Sequence, residues 1–433
     1  MIKEIFLGDF QGFMDARAEL APLTLVFGPN GSGKSSIGRA LKVMKQSSSK
    51  EVTAPGFVFK GSEIEFGSSK DAIRGQLKSR DLPVELSLGL RLSLQDSSSV
   101  GYIYQEDTRS TRSKVTFEAI LPNGQGTLVG VVSSDGKAFS ADSCINIGEA
   151  GFQFLTEELD SALFSAGKYM QIRGNLVHFT LPEGFPGSWD ELFDPDTEIL
   201  SWFHYSLDSA VCSFQEALAS TTFIEPLRPI PSKLQIVNYT KASSEKASEV
   251  DRTMERELAN LMLRLTDERY ELMVKNVPLP ELDAKVQAKF VVDSHTGAEL
   301  GFDQVGTGIS QVAPLVDDLV LGHGTTYIEQ PELHLHPRMQ SLLMTEYIEA
   351  VQRDPSRQFI IETHSETMLL KVQKRIREGS LDPKQVSILF VNKAELDDGT
   401  KFNSIEKLNL DELGDFLDPL PISFMDIRMQ DLL

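Results

Sequence analysis

Apolar and polar positions alternate along IKEIFL and DARAEL near the start of the chain, and the continuous apolar run TLVF then ends at a glycine. A period of two residues is the mark of strands, so three short strands are predicted in the first 27 residues. A helix is predicted to start at 33–34 and to run to about 45, where the polar tract QSSSK breaks it as a loop. From about 57 to 134 the pattern is strand after strand: GFVFKG, EIEFG, PVELSLGLRLSL, VGYIYQ, KVTFEAIL and TLVGVVSS. Turn residues at 122–126 and 134–137 suit hairpins, so this stretch predicts an antiparallel meander. One helical segment over 71–78 interrupts it and puts Lys70, Arg74 and Lys78 on one face.

The period changes in the second half. Residues 190–219 read as one or two amphipathic helices, and 243–273 as a charged helical stretch without a sustained heptad. From 289 onward strands and helices alternate: KFVVD and AELGF, a helix over 310–321, TTYIE, a helix over 337–353, QFIIE, a helix over 366–378, and VSILFV. That alternation predicts a largely parallel sheet. The fold class is α/β, a mixed sheet in which an antiparallel β subdomain accompanies a parallel α/β core with a helical insertion. Four parts follow: a lobe over 1–150, a mostly helical acidic insertion over 151–288, a second lobe over 289–400 and a short extension over 401–433.

Charge changes the picture in one place. The 433 residues carry 42 Lys and Arg against 63 Asp and Glu, a net −21, which disfavours a surface that coats nucleic acid. The excess is uneven. Residues 151–220 hold 11 acids against Lys168 and Arg173, whereas 1–50 is slightly basic, so the acidic stretch is the expected place for a protein partner. Two cysteines, Cys144 and Cys212, are too few for a disulfide framework or a zinc site. With no secretory signal and no apolar run of membrane-spanning length, the expected location is cytoplasmic, away from a membrane.

The firmest chemistry lies between the first apolar strand and the first helix. Gly28, Pro29, Asn30, Gly31, Ser32, Gly33, Lys34 and Ser35 fit G-x-x-x-x-G-K-[ST], and Ser36 follows. Glycines let such a loop curl until successive N–H groups face one concavity, and the helix end adds partial positive charge. Lys34 is placed to reach the β- and γ-phosphates of a nucleotide, and Ser35 to ligate Mg²⁺. ATP and Mg²⁺ are therefore the expected cofactors.

Three further segments complete a constellation. In TTYIEQPE, Glu329 ends an apolar strand and suits the acid that holds Mg²⁺. Gly306, Thr307, Gly308 and Ser310 lie in a glycine-bearing turn, VGTGISQ, that opens a helix. FIIETHSE is a strand ending at His364. In this order, and with the opening IFLGDFQGF and the segment FIEPLRPIP, the chain resembles the ABC-type ATPase heads of the RecF, OLD and SMC-like group. It is most similar to bacterial single-chain members with IEQPELHLHP and a short C-terminal domain like 411–433. The likeness covers about the first 45 residues and most of 223–433.

The resemblance implies a homodimer or higher homo-oligomer closed around ATP. Gly306, Thr307, Gly308 and Ser310 of one copy would face the phosphate loop of the other, with Glu329 as the Mg²⁺-associated acid and His364 as the switch histidine. One departure matters. The position after the strand-ending acid is normally Glu, the base for the attacking water, and here it is Gln330, which orients water but takes no proton. Glu332, two residues on, is the candidate substitute. The implied activity is a slow ATPase that acts as a conformational switch over a separate effector protein or nucleic acid, in antiphage defence or DNA repair. The alternative is a nucleotide-bound oligomeric scaffold with negligible hydrolysis. A transporter subunit fits poorly because VGTGISQ departs from LSGGQ, and a phosphoryl-transferring kinase leaves VGTGISQ and His364 unexplained.

Weaker signals have simpler readings. His334 and His336 lack a third ligand at metal-site spacing and read as structural or interface residues. Gln105, a candidate for sensing Mg²⁺, reads better as a strand-end glutamine. The basic groups Lys70/Arg74/Lys78/Arg80 and Lys371/Lys374/Arg375/Arg377 read as solvated helix positions, the second favoured by its helix C-terminus.

Overall fold

In the computed structural model the described residues are 1–421, except 50, 53, 55, 67–68, 73–84, 94–98, 108–109, 111, 121–126, 135–138, 147–151, 155–169, 174, 180–197, 230–233, 239–244 and 280–283. The chain opens with β1 (Ile2–Gly8), β2 (Asp15–Glu19), β3 (Leu23–Phe27), α1 (Lys34–Ser47) and the short α2 (Ser69–Ala72). β4 (Glu85–Ser93), β5 (Ser99–Asp107), β6 (Ser113–Ile120), β7 (Thr127–Ser134), β8 (Phe139–Asn146) and β9 (Phe152–Phe154) follow. β1 and β2 join these six in an eight-stranded antiparallel sheet ordered β2-β1-β4-β5-β6-β7-β8-β9. The hairpin β10 (Met170–Arg173) and β11 (Leu176–Phe179) and the helix α3 (Glu198–Ala219) come next.

After β12 (Thr222–Ile224), three segments form a small antiparallel sheet beside α4 (Glu245–Leu265). They are β13 (Leu234–Asn238), β14 (Tyr270–Leu279) and β15 (Ala284–Asp293), with β16 (Ala298–Leu300) on the edge. The remaining elements are α5 (Thr307–Leu321), β17 (Thr325–Glu329), α6 (Pro337–Arg353), β18 (Gln358–Glu362), α7 (Glu366–Arg377), β19 (Val386–Glu395) and β20 (Lys401–Leu408). The core sheet runs β12-β17-β18-β3-β19-β20 and is parallel except for its last pair.

β3 is buried at all five positions, as expected of a central parallel strand covered on both faces. Its alternate side chains still separate. Leu23, Leu25 and Phe27 join Phe359, Ile361, Ile388 and Phe390 in one core with α4, α5, α6 and α7. Val26, Ile360, Tyr327 and Leu389 belong to the other, packed with α1, α3 and the antiparallel sheet. Gly38 of α1 makes the close approach on that side, because a Cβ there would lie 2.4 Å from the Tyr327 ring.

Three expectations need correction. GFVFKG and EIEFG are not strands; only Lys60 and Glu65 bridge. Side chains at the end of α1 satisfy that backbone instead. Gln46 donates to the Val58 carbonyl and accepts from Ile64 N–H, while Ser47 Oγ accepts from Val58 N–H. Residues 270–288, assigned to a helical insertion, are mostly the hairpin β14–β15, which pairs from Tyr270 to Leu279 after Thr266 closes α4. Residues 401–408 are no extension, since β20 pairs along β19 and completes the core sheet. The predicted turns at 122–126 and 135–137, most of the 71–78 helix with Arg74, Lys78 and Arg80, and much of 151–197 lie outside the described residues.

Candidate functional site

β3 delivers the chain to the loop 28–33 at one end of the core sheet, and the loop feeds directly into α1. Gly28, Gly31 and Gly33 all take positive φ, at 149°, 73° and 101°. A side chain at Gly28 would strike the Val391 carbonyl at 2.1 Å, so only glycine lets the loop pass β19. Among the described residues no side chain bonds the Gly33 cap of α1, and the buried Ser32 hydroxyl meets no partner. Open N–H groups at a helix start and an unpaired hydroxyl fit phosphate oxygens. Lys34 Nζ donates to the carbonyls of Gly28 and Pro29 at 2.9 and 3.0 Å, and burial pulls its pKa down. Asn403 of β20 braces the other side. Its N–H donates to the Gly12 carbonyl at 2.8 Å, and its amide presses on Gly12 and Gly33.

Two carboxylates meet this loop. β17 and β18 run parallel in a register that pairs Glu329 with Glu362 at their ends. Ser35 Oγ donates to Glu362 Oε1 at 2.9 Å, so the acid touching the phosphate loop is Glu362, to which the sequence reading gave no role. Its signal was available, because it ends the apolar run QFII just as Glu329 ends TTYI. Burial raises the pKa of both. Glu329 is pushed up to about 7, with the neighbouring Glu362 charge adding to the effect and Lys42 opposing it. Facing carboxylates of this kind favour a divalent cation. Among the described residues no three His, Cys, Asp or Glu side chains gather as a metal cage. The Ser35–Glu362 contact with Glu329 alongside suits Mg²⁺, which takes one or two carboxylates and otherwise water and phosphate oxygens. Ser35, Glu362 and Glu329 are the groups that would hold it.

Gln330 follows in left-handed backbone, φ 45°, with its N–H donating to the Glu362 carbonyl at 2.7 Å. Glu332 differs from the expectation of a reserve base. Its two oxygens accept from Thr363 Oγ1 and from His364 N–H, both at 2.8 Å, so it clamps the turn that carries His364. His364 is exposed as a residue, but partial burial of its ring, with the nearby Lys34 charge, lowers its pKa and favours the neutral imidazole.

Gly306 and Thr307 are exposed at the start of α5, and no side chain caps that helix. Gly308 lies against the His334 carbonyl, which a Cβ would approach to 2.7 Å. Ser310 departs from its expected outward role. It is buried, and its hydroxyl donates to the Thr307 carbonyl. α1 and α5 pack on opposite faces of the core sheet. Arg228, also unassigned from sequence, is buried between Gln311 and Gln330.

The weaker signals resolve locally. His336 caps α6 by accepting from Arg338 N–H, and His334 takes left-handed backbone in the preceding turn. Gln105 donates to Ser87 Oγ across the antiparallel sheet. Lys374, Arg375 and Arg377 each have an acidic partner, Glu378, Glu349 or Asp415. No helix among the described residues is long and apolar enough to cross a membrane.

Residues 198–369 match the family model described as an AAA ATPase domain, and residues 23–126 match one described as "AAA domain, putative AbiEii toxin, Type IV TA system". Together the two span more than half of the chain. No curated protein matches it. Among solved structures it is similar to an Smc head bound to the C-winged helix domain of ScpA, at 13% identity and TM-score 0.46, covering 95% of this chain and 98% of that one. An Smc head with an extended coiled coil, bound to the C-terminal domain of ScpA derived from Pyrococcus furiosus, gives 12% and 0.44, with coverage of 94% and 96%. The SMC head domain from Thermotoga maritima gives 11% and 0.36, with coverage of 94% and 99%.

Proposed function

We propose that the chain, which carries matches to two AAA ATPase-domain models, is an ABC-type P-loop head that binds ATP with Mg²⁺ and works as a slowly hydrolysing, dimerising switch. The observation that carries this reading is the meeting of the phosphate loop with two strand-ending acids, followed at once by an amide where a base is normally found. Ser35 hydrogen-bonds Glu362, Glu362 stands beside Glu329, and Gln330 comes next. In this reading the loop N–H groups and Lys34 bind the phosphates, and Ser35, Glu362 and Glu329 hold Mg²⁺, directly or through water. Bound Mg²⁺ neutralises charge on the β- and γ-phosphates. Gln330 orients the attacking water without removing its proton, which slows the chemical step. His364, neutral and exposed beside Lys34, donates a hydrogen bond toward the γ-phosphate.

The exposed start of α5 is offered to the nucleotide of a second copy. The exposure of Gly306 and Thr307, at a helix start that no described side chain caps, supports this. The closed homodimer, or a higher oligomer built from it, would then control a separate effector protein or a nucleic acid, in antiphage defence or DNA repair. Multiple-turnover phosphate release tests the switch. Slow turnover that rises at least tenfold in Q330E is the expected result, and fast wild-type turnover abolished by changing Gln330 alone overturns it. The same amide favours a second reading, a scaffold that holds nucleotide and hardly turns it over. Stoichiometric nucleotide after purification, with negligible turnover in both wild type and Q330E, selects that one.

A further inference from the structure

Arg228 leaves the edge strand β12 four residues past Ile224, which pairs with Ile328 of β17. That register carries it under the turn that begins at Gln330. Its side chain is only 4% exposed. Among the described residues no carboxylate forms an ion pair with it, and the guanidinium is met by peptide carbonyls alone. Nη1 donates to the Gln311 carbonyl and Nη2 to the Gln330 carbonyl, both at 2.8 Å, and Nε donates to the Glu225 carbonyl at 3.3 Å. Gln311 closes the arrangement from its side. Its amide Nε2 donates to the Arg228 carbonyl at 2.8 Å, and its Oε1 accepts from Arg228 N–H at 3.2 Å.

A buried cation hydrogen-bonded to peptide carbonyls, with the Glu332 charge acting on it but forming no ion pair among the described residues, is a costly way to stabilise a fold, and an apolar side chain would fill the space more cheaply. What the guanidinium supplies is geometry. Its planar fork fixes two carbonyls at once, which an ammonium cannot do. The two carbonyls belong to different functional elements. Gln311 is the last residue of VGTGISQ, in the first turns of α5. Gln330 is the residue after the strand-ending acid, held in a left-handed conformation by Glu362 on its N–H and by Arg228 on its carbonyl.

We infer that Arg228 is a positioning residue that couples the start of α5 to the Gln330 turn, and so links the chain's own nucleotide to the one bound by the partner copy. This rests on the sandwich reading above. Movement of α5 when it engages a phosphate pulls on the Gln311 carbonyl, and the rigid fork transmits it to the peptide that sets the Gln330 amide. A chain whose α5 faces no phosphate then holds its water-orienting group out of line.

The test uses the full chain as wild type, R228K and Q311A. R228K keeps the charge and stem and loses the fork. Q311A removes only the reciprocal amide and serves where R228K folds poorly. Thermal melting, affinity for a fluorescent ATP analogue and turnover against ATP concentration are measured for each. Melting within a few degrees of wild type and affinity within twofold are expected for both. Turnover should fall at least tenfold in R228K and severalfold in Q311A, and the Hill coefficient should drop from near 2 towards 1. Wild-type turnover and cooperativity in folded R228K, or in Q311A where R228K does not fold, overturn the inference. So does a loss that merely tracks the folded fraction. A wild-type chain that binds no ATP overturns the underlying reading instead, and one that binds and turns over ATP without cooperativity overturns the coupling alone.

Discussion

Ser35 Oγ lies 2.9 Å from Glu362 Oε1, so the hydroxyl of the phosphate loop is tied to the strand before His364 rather than to the one before Gln330. Glu329 stands beside Glu362 and is one strand further from the loop, because β18 lies between β17 and β3. The two acids therefore have different expected sensitivities. E362Q should raise the Mg²⁺ concentration needed for half-maximal ATP binding by about 10-fold or more, the usual loss when a group orienting a metal ligand is removed. E329Q should raise it less. A Mg²⁺ titration of nucleotide binding at fixed ATP measures both.

Gly38 is expected to refuse alanine. In an exposed helix interior alanine would gain about 1 kcal/mol over glycine. Here the new methyl would sit 2.4 Å from the Tyr327 ring, and overpacking of that kind costs about 1–3 kcal/mol. Denaturant melts should show G38A less stable than wild type. Y327F should not relieve it, since the clash is with ring carbons, whereas the smaller Y327L should.

The buried pair Arg357–Asp318 joins the segment before β18 to α5. Its atoms are 2.9 Å apart, Thr326 and the Asp318 carbonyl add further bonds, and the guanidinium stacks on Phe359. R357A should cost about 3–5 kcal/mol, because it strands a buried carboxylate. R357M with D318N, which removes both charges, should recover much of that loss. Chemical denaturation of the two variants gives the comparison.

Glu106 supplies a pH signature away from the nucleotide site. Burial pushes its carboxyl up to about 7, opposed by the hydrogen bond it accepts from Phe57 N–H. A raised carboxyl binds its proton more tightly in the folded state. Its contribution is therefore complete below the ordinary carboxylate range near 4.5 and is lost as pH rises through about 7. E106Q should remove this loss. It should gain on the order of 1–3 kcal/mol over wild type at pH 8 and little at pH 5, as thermal melts at the two pH values will register.

How far the sequence could be read depended on range. The phosphate loop was legible because strand, glycines, lysine and helix are contiguous and their chemistry is local. The parallel core was legible for a similar reason, since short runs rich in β-branched and aromatic residues, such as TTYIE and QFIIE, alternate with helical periods. Glu362 showed only that it ends an apolar run, not what it meets, and Arg228 showed nothing. Each owes its role to a neighbour far along the chain, the first to Ser35 and the second to Gln311 and Gln330, and parallel register sets those meetings. The segment 57–66 misled because its apolar alternation is that of a strand, while its backbone bonds are divided among Gln46, Ser47, Glu106 and its own short turn. β20 was missed because only pairing with β19 distinguishes it from a polar tail.

The position of β3 sets a timetable for the molecule. It is made among the first 27 residues, yet its two neighbours are β18 and β19, and Asn403 braces the loop it feeds. As the chain leaves the ribosome, the phosphate loop waits until β18 (Gln358–Glu362) and β19 (Val386–Glu395) have been made. Pairing across so long a separation is slow and comes late in folding. Competence to hold a nucleotide is thus acquired only when the carboxyl-terminal hairpin has closed, and a shortened nascent product carries the phosphate loop without a working site.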